Sequence, residues 1–415
     1  MNYFNFRRGD LYCENIRLLD ITQKHGTPLY VYSYNTIVKH YEHIIRSWQP
    51  LKIIIAYSMK ANSNLAIISI LRKLNSWIDA VSQGEIFRAT SAGFKPERMI
   101  FGGVGKSREE IEHSIKAGIF MIVADSVDEL KLIDKLSKKY RRRTRVSIRV
   151  NPDIDAVTHP YITTAVRESK FGIPIARAPF VFKFANTLPY LEVAGVQQHI
   201  GSQIIALTPF LEGLRKLKRL VIGLKRAGIK IKYLDIGGGI GIKYKKETPF
   251  TLEDYAQTIT RIIKDLDCTV ILEPGRVIVG NTGVLITKVL YVKKGINKNF
   301  VIVDAGMNDL IRPSLYGAYH EIVPLKKTKG KMMADIVGPV CESGDFFAKN
   351  RRIPKLKSGD HLAVMSAGAY GFSMASNYNS RLRPAEVLVR DHHMYLVRKR
   401  ESYPDLTRGE ISYWF

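Results

Sequence analysis

The sequence contains little cysteine and no long hydrophobic run. Of its 415 residues only three are cysteines, Cys13, Cys268 and Cys341, and an odd number of widely spaced thiols argues against a disulfide framework and fits a reducing compartment. The apolar run Ile119–Ala124 is far shorter than the roughly 18 residues that a membrane span needs. The first ten residues carry charges where a signal peptide has its apolar stretch. We therefore expect a cytoplasmic protein that has no membrane partner.

Acidic residues are scarce relative to basic ones. Lysine and arginine number 64 and aspartate and glutamate 38, so the formal net charge is +26, which a nucleic-acid partner would explain. The basic residues, however, are scattered in short clusters such as Arg141–Arg143 and Lys326–Lys327, with no zinc-finger spacing and no interleaved aromatic residues. The pattern favours solvated basic faces and no nucleic-acid partner. The alternative, a nucleic-acid-binding protein, would show strongly salt-dependent retention on DNA or RNA.

Short apolar runs rich in β-branched residues alternate with helical patterns in the first two thirds of the chain, and eight of these runs are predicted to be strands. They are Lys52–Tyr57, Trp77–Val81, Met99–Phe101, Phe120–Ala124, Arg145–Val150, Val193–His199, Lys232–Ile236 and Thr269–Glu273. Eight strand–helix repeats over roughly 220–250 residues are typical of a (β/α)8 barrel of the TIM type. A doubly wound open sheet is the alternative, because a count of strands does not prove closure.

Serine followed by glutamate at the third position marks two of the intervening helices. Ser107 with Glu110 and Ser126 with Glu129 have the spacing of a capping box. After Gly280 the pattern changes to strands separated by turns, which predicts an all-β second domain. The strands predicted there are Gly283–Val292, Phe300–Asp304, Lys331–Val337, His361–Met365, Glu386–Val389 and Met394–Arg398.

Glycine-rich and charged segments follow the last two predicted barrel strands, at the strand ends where barrel enzymes place their active residues. The seventh strand runs into the loop Asp235–Gly241, and the eighth runs into Glu273-Pro274-Gly275-Arg276. Backbone N–H groups of such loops approach anions closely. The loop lacks the Gly-Lys-Ser/Thr of a Walker motif, and Ile242 stands where the dinucleotide fingerprint needs its third glycine. The two segments together predict a phosphate cradle.

A lysine and a histidine follow the first and sixth strands. Lys60 is either a side chain that extends to solvent or a nucleophilic amine, and a lone histidine such as His199 is more often structural. Together with the glycine loop, Glu273 and Arg276 they fall on one face of the predicted barrel. Pyridoxal 5′-phosphate suits this set, because it needs an amine for its aldehyde, a cradle for its phosphate and a group at its pyridine nitrogen.

Longer motifs extend over nearly the whole chain, from about Gly26 to Val397. They are Tyr57–Asn62, Asn151–Pro160, Lys170–Ile173, His199–Gln203, Glu273–Arg276, Asp304–Tyr316, Cys341–Asp345 and Gly368–Asn379. Together they resemble the diaminopimelate decarboxylases, which are fold-type III pyridoxal-phosphate enzymes related to the ornithine and arginine decarboxylases and, more distantly, to alanine racemase. The resemblance implies three segments: 1–27 packing on the β domain, 28–278 as the cofactor-binding barrel, and 279–415 as a C-terminal β domain of the sandwich or Greek-key barrel type.

The resemblance also implies roles for individual residues. Lys60 would be the Schiff-base lysine, His199 would stack on the cofactor ring and Glu273 would meet its pyridine nitrogen. The other cofactor-binding residues would be Ser202, Gly239, Pro274, Gly275, Arg276 and Tyr370. The substrate-binding residues would be Arg276, Arg312, Tyr316, Glu342 and Tyr370. Cys341 would be the proton donor. In the family Cys341 and Glu342 come from the neighbouring subunit, which implies a homodimer with active sites at its interface, and no metal is implied.

Without the family resemblance, some of these residues would be assigned ordinary structural roles. Tyr316 and Tyr370 would serve as aromatic packing, and Cys341 as a buried inert thiol. The sequence also departs from the family at two places: Thr164-Ala165 stands where a glycine is usual, and Leu382 replaces a frequent proline. Neither departure carries chemistry, so they bear on local loop geometry and not on activity.

The implied reaction is decarboxylation of meso-2,6-diaminopimelate to L-lysine, the last step of lysine biosynthesis. The distal end of this amino acid carries a carboxylate, which Arg312 and Arg276 can bind as forks, and an ammonium group, which Glu342 can accept. The alternatives are a related decarboxylase of the ornithine, arginine or carboxynorspermidine type, an amino-acid racemase, and a non-catalytic pyridoxal-phosphate carrier. The carrier would normally be a single barrel and a shorter chain.

Overall fold

The chain divides into two units in this computed structural model, which describes residues 2–49, 51, 53–154, 169–296 and 298–413. The barrel unit comprises His40–Lys243 and Glu247–Val277. The β unit comprises Met1–Lys39, Tyr244–Lys246 and Ile278–Phe415. Among the described residues, no helix combines the length and the apolar content that a bilayer crossing requires.

The first described elements, as far as Lys39 in the second helix, belong to the β unit. Three short antiparallel strands form a small sheet, and a helix, a fully buried strand and a second helix follow it. The elements are β1 (Phe4–Arg7), β2 (Asp10–Cys13), β3 (Ile16–Arg17), α1 (Leu18–His25), β4 (Leu29–Ser33) and α2 (Tyr34–Ser47).

Parallel strands form the barrel unit, and eight of them close into a ring. The strands are β5 (Ile53–Ser58), β6 (Trp77–Ala80), β7 (Met99–Phe101), β8 (Met121–Ala124), β9 (Thr144–Asn151), β10 (Ile173–Pro174), β11 (Leu191–Gln197), β12 (Tyr233–Asp235) and β13 (Thr269–Leu272). The two-residue β10 pairs with β9, outside the ring. β13 pairs with β5, with Val270 opposite Ile53. This pairing closes the sheet, so the predicted (β/α)8 barrel is confirmed and the open sheet is excluded.

Helices connect the barrel strands. They are α3 (Leu65–Lys73), α4 (Gln83–Ser91), α5 (Arg108–Ala117), α6 (Val127–Lys139), α7 (Ala178–Thr187), α8 (Thr208–Arg226), α9 (Leu252–Ile263) and α10 (Arg276–Val279), with 3-10 turns at Met59–Ala61 and Pro96–Arg98. The capping box of Ser107 and Glu110 is present. At the start of α6 only half of the predicted capping box forms. The Ser126 hydroxyl accepts a hydrogen bond from the Glu129 N–H, but the Glu129 carboxylate binds the Asp125 N–H and the Lys106 ammonium.

Side chains fill the barrel interior. A buried cluster there contains Ala56, Ile100, Met121, Val123 and Ile271. Edge-to-face aromatic pairs lie beside it, with ring centroids 4.6 Å apart for Trp77 and Phe120 and 5.2 Å apart for Phe120 and Tyr233. Because the interior is packed, polar chemistry has room only where the strands end.

The β unit continues after the barrel with mostly strands. They are β14 (Gly283–Lys294), β15 (Asn299–Val303), β16 (Ile322–Pro324), β17 (Lys331–Val337), β18 (Phe346–Pro354), β19 (His361–Val364), β20 (Ala385–Arg390) and β21 (His393–Arg398). Two short helices, α11 (Arg312–Tyr316) and α12 (Tyr403–Leu406), and 3-10 turns at Gly280–Thr282, Phe372–Met374 and Tyr378–Ser380 complete it. The main sheet has the order β18-β17-β15-β14-β4-β20-β21, with β19 pairing to β14 and to β16. This confirms the mostly β second domain.

The β unit differs from the sequence prediction in the assignment of β4 and in two strands that were not predicted, the short β16 and the longer β18. β4 falls inside the segment 28–278 that was predicted to be barrel, but it pairs antiparallel with β14 and parallel with β20. The five residues of β4 are all buried. Their sequence resembles that of a barrel strand, because buried parallel strands are also continuously apolar. β18 was missed, since its sequence FFAKNRRIP lacks the regular alternation of a half-buried strand.

The packed barrel interior predicts a large cost for removing its side chains. We expect Ile100→Ala to lower the free energy of unfolding by about 2–5 kcal/mol, because Ile100 is fully buried in the interior cluster and a cavity replaces its side chain. Phe87→Ala, at a side chain 70% exposed on α4, is the control and is expected to cost under about 0.5 kcal/mol. Denaturant titration compares the two, and equal losses would contradict a filled interior.

Candidate active site

Four strands that are distant in sequence end next to one another in the barrel. β11, β12, β13 and β5 are consecutive in the ring, so the segments that follow them meet at one part of the rim. The Ser58 N–H donates to the Pro274 carbonyl at 3.1 Å, and the Ser58 hydroxyl donates to the Glu273 carbonyl at 2.9 Å. These bonds join the end of the first barrel strand to the end of the eighth.

Lys60 lies in the 3-10 turn that follows β5. Its Nζ is 3.1 Å from Oδ2 of Asp79, a carboxylate at the end of β6 that is 2% exposed and also accepts the Ser58 hydroxyl at 2.8 Å. The Lys60 side chain remains 36% exposed. The amine is therefore oriented by a buried partner and is still accessible to a ligand.

The glycine-rich loop after β12 lies against backbone on both sides. A Cβ at Gly238 would be 2.0 Å from the Glu273 carbonyl oxygen, and one at Gly239, where φ is +94°, would be 2.3 Å from the Gly201 carbonyl oxygen. Both distances are far below van der Waals contact, so only glycine fits. The loop thus brings its backbone to the place where the ends of the sixth and eighth strands converge.

Arg276 and Ser202 come together beside this loop. The Arg276 guanidinium donates to the Ser202 hydroxyl at 2.9 Å. Gly275 is also in a tight position, because a Cβ there would be 3.0 Å from the Ala61 side chain. A guanidinium, a hydroxyl and glycine backbone form a donor set that suits a phosphate group.

His199 is held as a neutral imidazole. The Gly238 N–H donates to its Nδ1 at 3.2 Å, which assigns the ring proton to Nε2. Burial lowers the pKa of His199 well below its usual value, and the positive charges of Lys60 and Arg149 lower it further. A neutral ring at this position can lie against a planar ligand without adding charge.

Glu273 is a buried carboxylate at the end of β13. It is 5% exposed, and the amide nitrogen of Gln197, on β11, donates toward its two oxygens at 3.3 and 3.2 Å. Burial raises its pKa, and the nearby Asp79 carboxylate raises it further, whereas Lys60 acts in the opposite direction. Such a group is suited to pair with a cationic ring nitrogen.

These residues fit pyridoxal 5′-phosphate. An amine, a buried carboxylate and a neutral imidazole meet the needs of its aldehyde, ring nitrogen and ring face. The glycine loop packs so closely that a Cβ at Gly238 or Gly239 would collide with neighbouring backbone, and it lies next to the guanidinium and hydroxyl described above. Among the described residues no group of three or more histidine, cysteine, aspartate or glutamate side chains is placed to hold a metal ion.

Apart from Arg276, the predicted substrate residues lie in the β unit. Arg312 is 5% exposed and donates to Nε2 of His320 at 2.8 Å, while Nδ1 of His320 donates to the Met365 carbonyl at 2.8 Å. The Arg312 guanidinium also lies 4.8 Å from the centre of the Tyr244 ring. Arg312 is thus held in a fixed orientation, and His320, which the sequence analysis did not identify, positions it.

The other predicted residues of the β unit occupy less enclosed positions. Cys341 and Glu342 are exposed, so a buried inert thiol is excluded for Cys341. The Cys341 N–H donates to the Asn379 side-chain oxygen at 2.8 Å, and the Tyr378 hydroxyl donates to Glu342 at 2.8 Å. Tyr316 ends α11, and Tyr370 has a φ of +56°, a conformation that non-glycine residues rarely adopt.

Several polar residues of the site were missed by the sequence analysis. Asp79, Arg149, Gln197 and Asp235 are all buried and lie near or at the ends of barrel strands. The available signal was a charged or amide side chain within an apolar strand, which is costly to bury unless it is paired.

Two of the sequence features concern residues that the structure does not describe. Most of the predicted motif Asn151–Pro160 and the departure at Thr164-Ala165 lie outside the described residues.

Comparisons with known proteins agree with this site. The family model described as "Pyridoxal-dependent decarboxylase, pyridoxal binding domain" matches residues 34–280. The diaminopimelate decarboxylase of Aquifex aeolicus is 45% identical over 403 residues, which are 97% of this chain and 96% of that protein. The chain belongs to the diaminopimelate decarboxylase family. The enzyme of Helicobacter pylori, 46% identical over 94% of this chain and 97% of its own length, is another relative.

Solved structures of this family have the same fold. The diaminopimelate decarboxylase of Helicobacter pylori complexed with L-lysine matches with a TM-score of 0.92 and 45% identity, over 95% of this chain and 99% of that one. The M. jannaschii enzyme matches with a TM-score of 0.94 and 37% identity, over 99% and 98%. The fold class and the family resemblance are therefore confirmed, and the family is one of pyridoxal-dependent carboxy-lyases.

Because the close packing of the loop requires glycine, a substitution there should weaken cofactor binding. We expect Gly238→Ala to weaken pyridoxal phosphate binding by at least about tenfold, since the new Cβ would displace the Glu273 backbone. Gly223→Ala is the matched control: this glycine lies in α8 and a Cβ there meets nothing within 4 Å, so binding should not change. Titration of the cofactor-free variants by absorbance measures both, and tight binding by Gly238→Ala would contradict the steric argument.

Proposed function

We propose that this protein releases carbon dioxide from meso-2,6-diaminopimelate and forms L-lysine, as the last step of lysine biosynthesis. The observation that carries the proposal is the 45% identity to a diaminopimelate decarboxylase over 97% of the chain. The site geometry supports it, because Lys60, His199, Glu273 and the glycine loop meet at one part of the barrel rim. The shared name of the relatives supplies the substrate.

The barrel residues would hold pyridoxal 5′-phosphate. The Lys60 amine would take its aldehyde, Glu273 its ring nitrogen and His199 its ring face. The phosphate would lie against Gly239, Ser202, Gly275 and Arg276, with Pro274 and Tyr370 completing the set. When bound, the cofactor supplies an electron sink for the carbon–carbon bond that breaks.

The protein's own side chains prepare the site for this chemistry. Asp79 orients the Lys60 amine at 3.1 Å, and Gln197 restrains the Glu273 carboxylate. His199 stays neutral because the Gly238 N–H occupies Nδ1 and its surroundings disfavour a second proton. Burial of Asp79, Gln197 and Glu273 excludes water from these side chains, which strengthens their electrostatic interactions.

Arginine and glutamate side chains would recognise the two charged groups at the distal end of the substrate. The buried Arg312, held by His320 and Tyr244, would bind the distal carboxylate together with Arg276 as planar forks. Glu342 would accept the distal ammonium, and Tyr316 and Tyr370 would contact the substrate. Ornithine and arginine lack the distal carboxylate, so they leave these guanidinium groups without an anionic partner.

Cys341 would deliver the proton that replaces the lost carboxylate, and a second copy of the chain would supply it. Its exposure and the bond from its N–H to Asn379 leave the thiol accessible at the surface of one chain. Glu342, the next residue, is exposed as well. We therefore propose a homodimer in which each copy contributes Cys341 and Glu342 to the site of the other.

The substrate assignment predicts a strong preference. Purified protein loaded with pyridoxal phosphate is expected to release carbon dioxide and L-lysine from meso-diaminopimelate, with kcat/KM for ornithine and arginine lower by about 10⁴, because buried groups built for a polar partner reject analogues that lack it. Lys60→Ala should lose both the cofactor chromophore and activity, whereas Cys341→Ala should keep the chromophore and lose product. Comparable rates on ornithine, or racemisation without carbon dioxide, would refute the assignment.

The shared site predicts complementation between two inactive variants. Mixing Lys60→Ala with Cys341→Ala and allowing subunits to exchange should restore up to about one quarter of wild-type activity, because half of the dimers then contain one intact site. Each variant mixed with itself is the control. Sedimentation or light scattering should report a dimer, and a fully active monomer, or a dimer whose mixtures stay inactive, would contradict the shared site.

A further inference from the structure

Three polar side chains form a buried layer where consecutive barrel strands end. Gln197 on β11 lies opposite Asp235 on β12 in the strand register. The N–H of Glu273, which follows β13, donates to the carbonyl of Gly237, two residues after Asp235, at 2.9 Å. Their exposed fractions are 4% for Gln197, 0% for Asp235 and 5% for Glu273. Two carboxyl groups are thus enclosed side by side.

The two oxygens of Asp235 have different surroundings. Oδ1 accepts the Gly237 N–H at 2.9 Å. Oδ2 is buried, and no hydrogen-bond donor of the described residues reaches it. The Asp235 carboxyl interacts with the carboxyl of Glu273. Two ionised carboxylates would repel each other here, so one of them must hold a proton.

The charged groups around the pair decide which carboxyl that is. Lys60 after β5 and Arg149 on β9 act on Glu273 and favour its ionised form, and Gln197 donates to its oxygens. Asp79 on β6 acts against ionisation of both carboxyls, and His199 is neutral. Burial and then Glu273 raise the pKa of Asp235 well above its usual value, and the Gly237 N–H acts in the opposite direction. The proton therefore belongs on Asp235.

We propose that Asp235 is a neutral carboxylic acid that donates a hydrogen bond to Glu273, and that it is a positioning residue for that carboxylate. The inference rests on the proposed function only in that Glu273 is taken to meet the ring nitrogen of pyridoxal phosphate. A neutral donor stabilises ionised Glu273 and fixes its orientation. Ionised Glu273 in turn favours a protonated ring nitrogen, which the electron sink requires.

The experiment compares Asp235→Asn with Asp235→Ala in the holoenzyme. Asparagine is neutral and retains a donor, so we expect the cofactor spectrum of Asp235→Asn to match wild type and its kcat to stay within about threefold. Alanine removes the donor and makes Glu273 more basic. The spectrum should then shift toward the form with an unprotonated ring nitrogen, and kcat should fall by about 10- to 100-fold, the range for a lost hydrogen bond to a charged group.

A second measurement is independent of catalysis. An aspartate that is protonated in the native state and ionised in the unfolded state makes the protein less stable as pH rises above the ordinary aspartate pKa of about 3.9, until the native group itself ionises. Between pH 5 and 7 the wild-type unfolding constant should therefore rise by up to about tenfold more per pH unit than that of Asp235→Asn.

The control for the cofactor spectra is Asp309→Asn. Asp309 is also buried and bonded to a backbone N–H, but it lies in the β unit. This variant should leave the cofactor spectrum unchanged.

Two results would overturn the proposal. The first is a cofactor spectrum of Asp235→Asn that matches that of Asp235→Ala, which would mean that ionised Asp235 is required. The second is the same pH slope of stability for wild type and Asp235→Asn, which would mean that Asp235 holds no extra proton. If wild type does not decarboxylate diaminopimelate but the spectra and slopes follow the expectation, the assignment of Asp235 stands and only the proposed function fails.

Discussion

Pairing of the last barrel strand with the first is the interaction on which the site depends. The contact of β13 with β5 places residues near position 60 beside residues near position 273, although more than half the chain separates them. It also makes the sixth, seventh, eighth and first strands consecutive, so four segments contribute to one part of the rim. An open sheet with the same strands would leave Lys60 and Glu273 at opposite edges.

Tight backbone packing then defines the shape of the rim. The glycines after β12 allow the loop to lie against the backbone of Glu273 and of Gly201, where any side chain would collide. This approach orients the Gly238 N–H toward His199 and so selects the neutral form of that imidazole. One steric requirement thereby shapes the anion cradle and also sets the charge of the group beside it.

The sequence predicted the residues that carry recognisable motifs and missed those that support them. Lys60, His199 and Glu273 were found because they follow apolar runs and match family motifs, and the eight strand–helix repeats predicted the barrel itself. Asp79, Gln197 and Asp235 were passed over because each is a single polar residue within a strand, and its partner lies on a different strand. His320 was missed because it is a lone polar residue whose role depends on contact with Arg312.

The alternation of strands and helices, the glycine-rich loop and the family motifs are local in the chain, and local order is enough to determine the fold class and the kind of chemistry. Closure of the barrel, the assignment of β4 to the β unit and the pairing of Lys60 with Asp79 were decided only by the tertiary structure. These features depend on contacts between distant segments, and the charge state of a buried group depends on every neighbour that surrounds it. The spacing of residues along the chain determines which side chains are available for chemistry, whereas their burial in the folded protein determines which of them are charged.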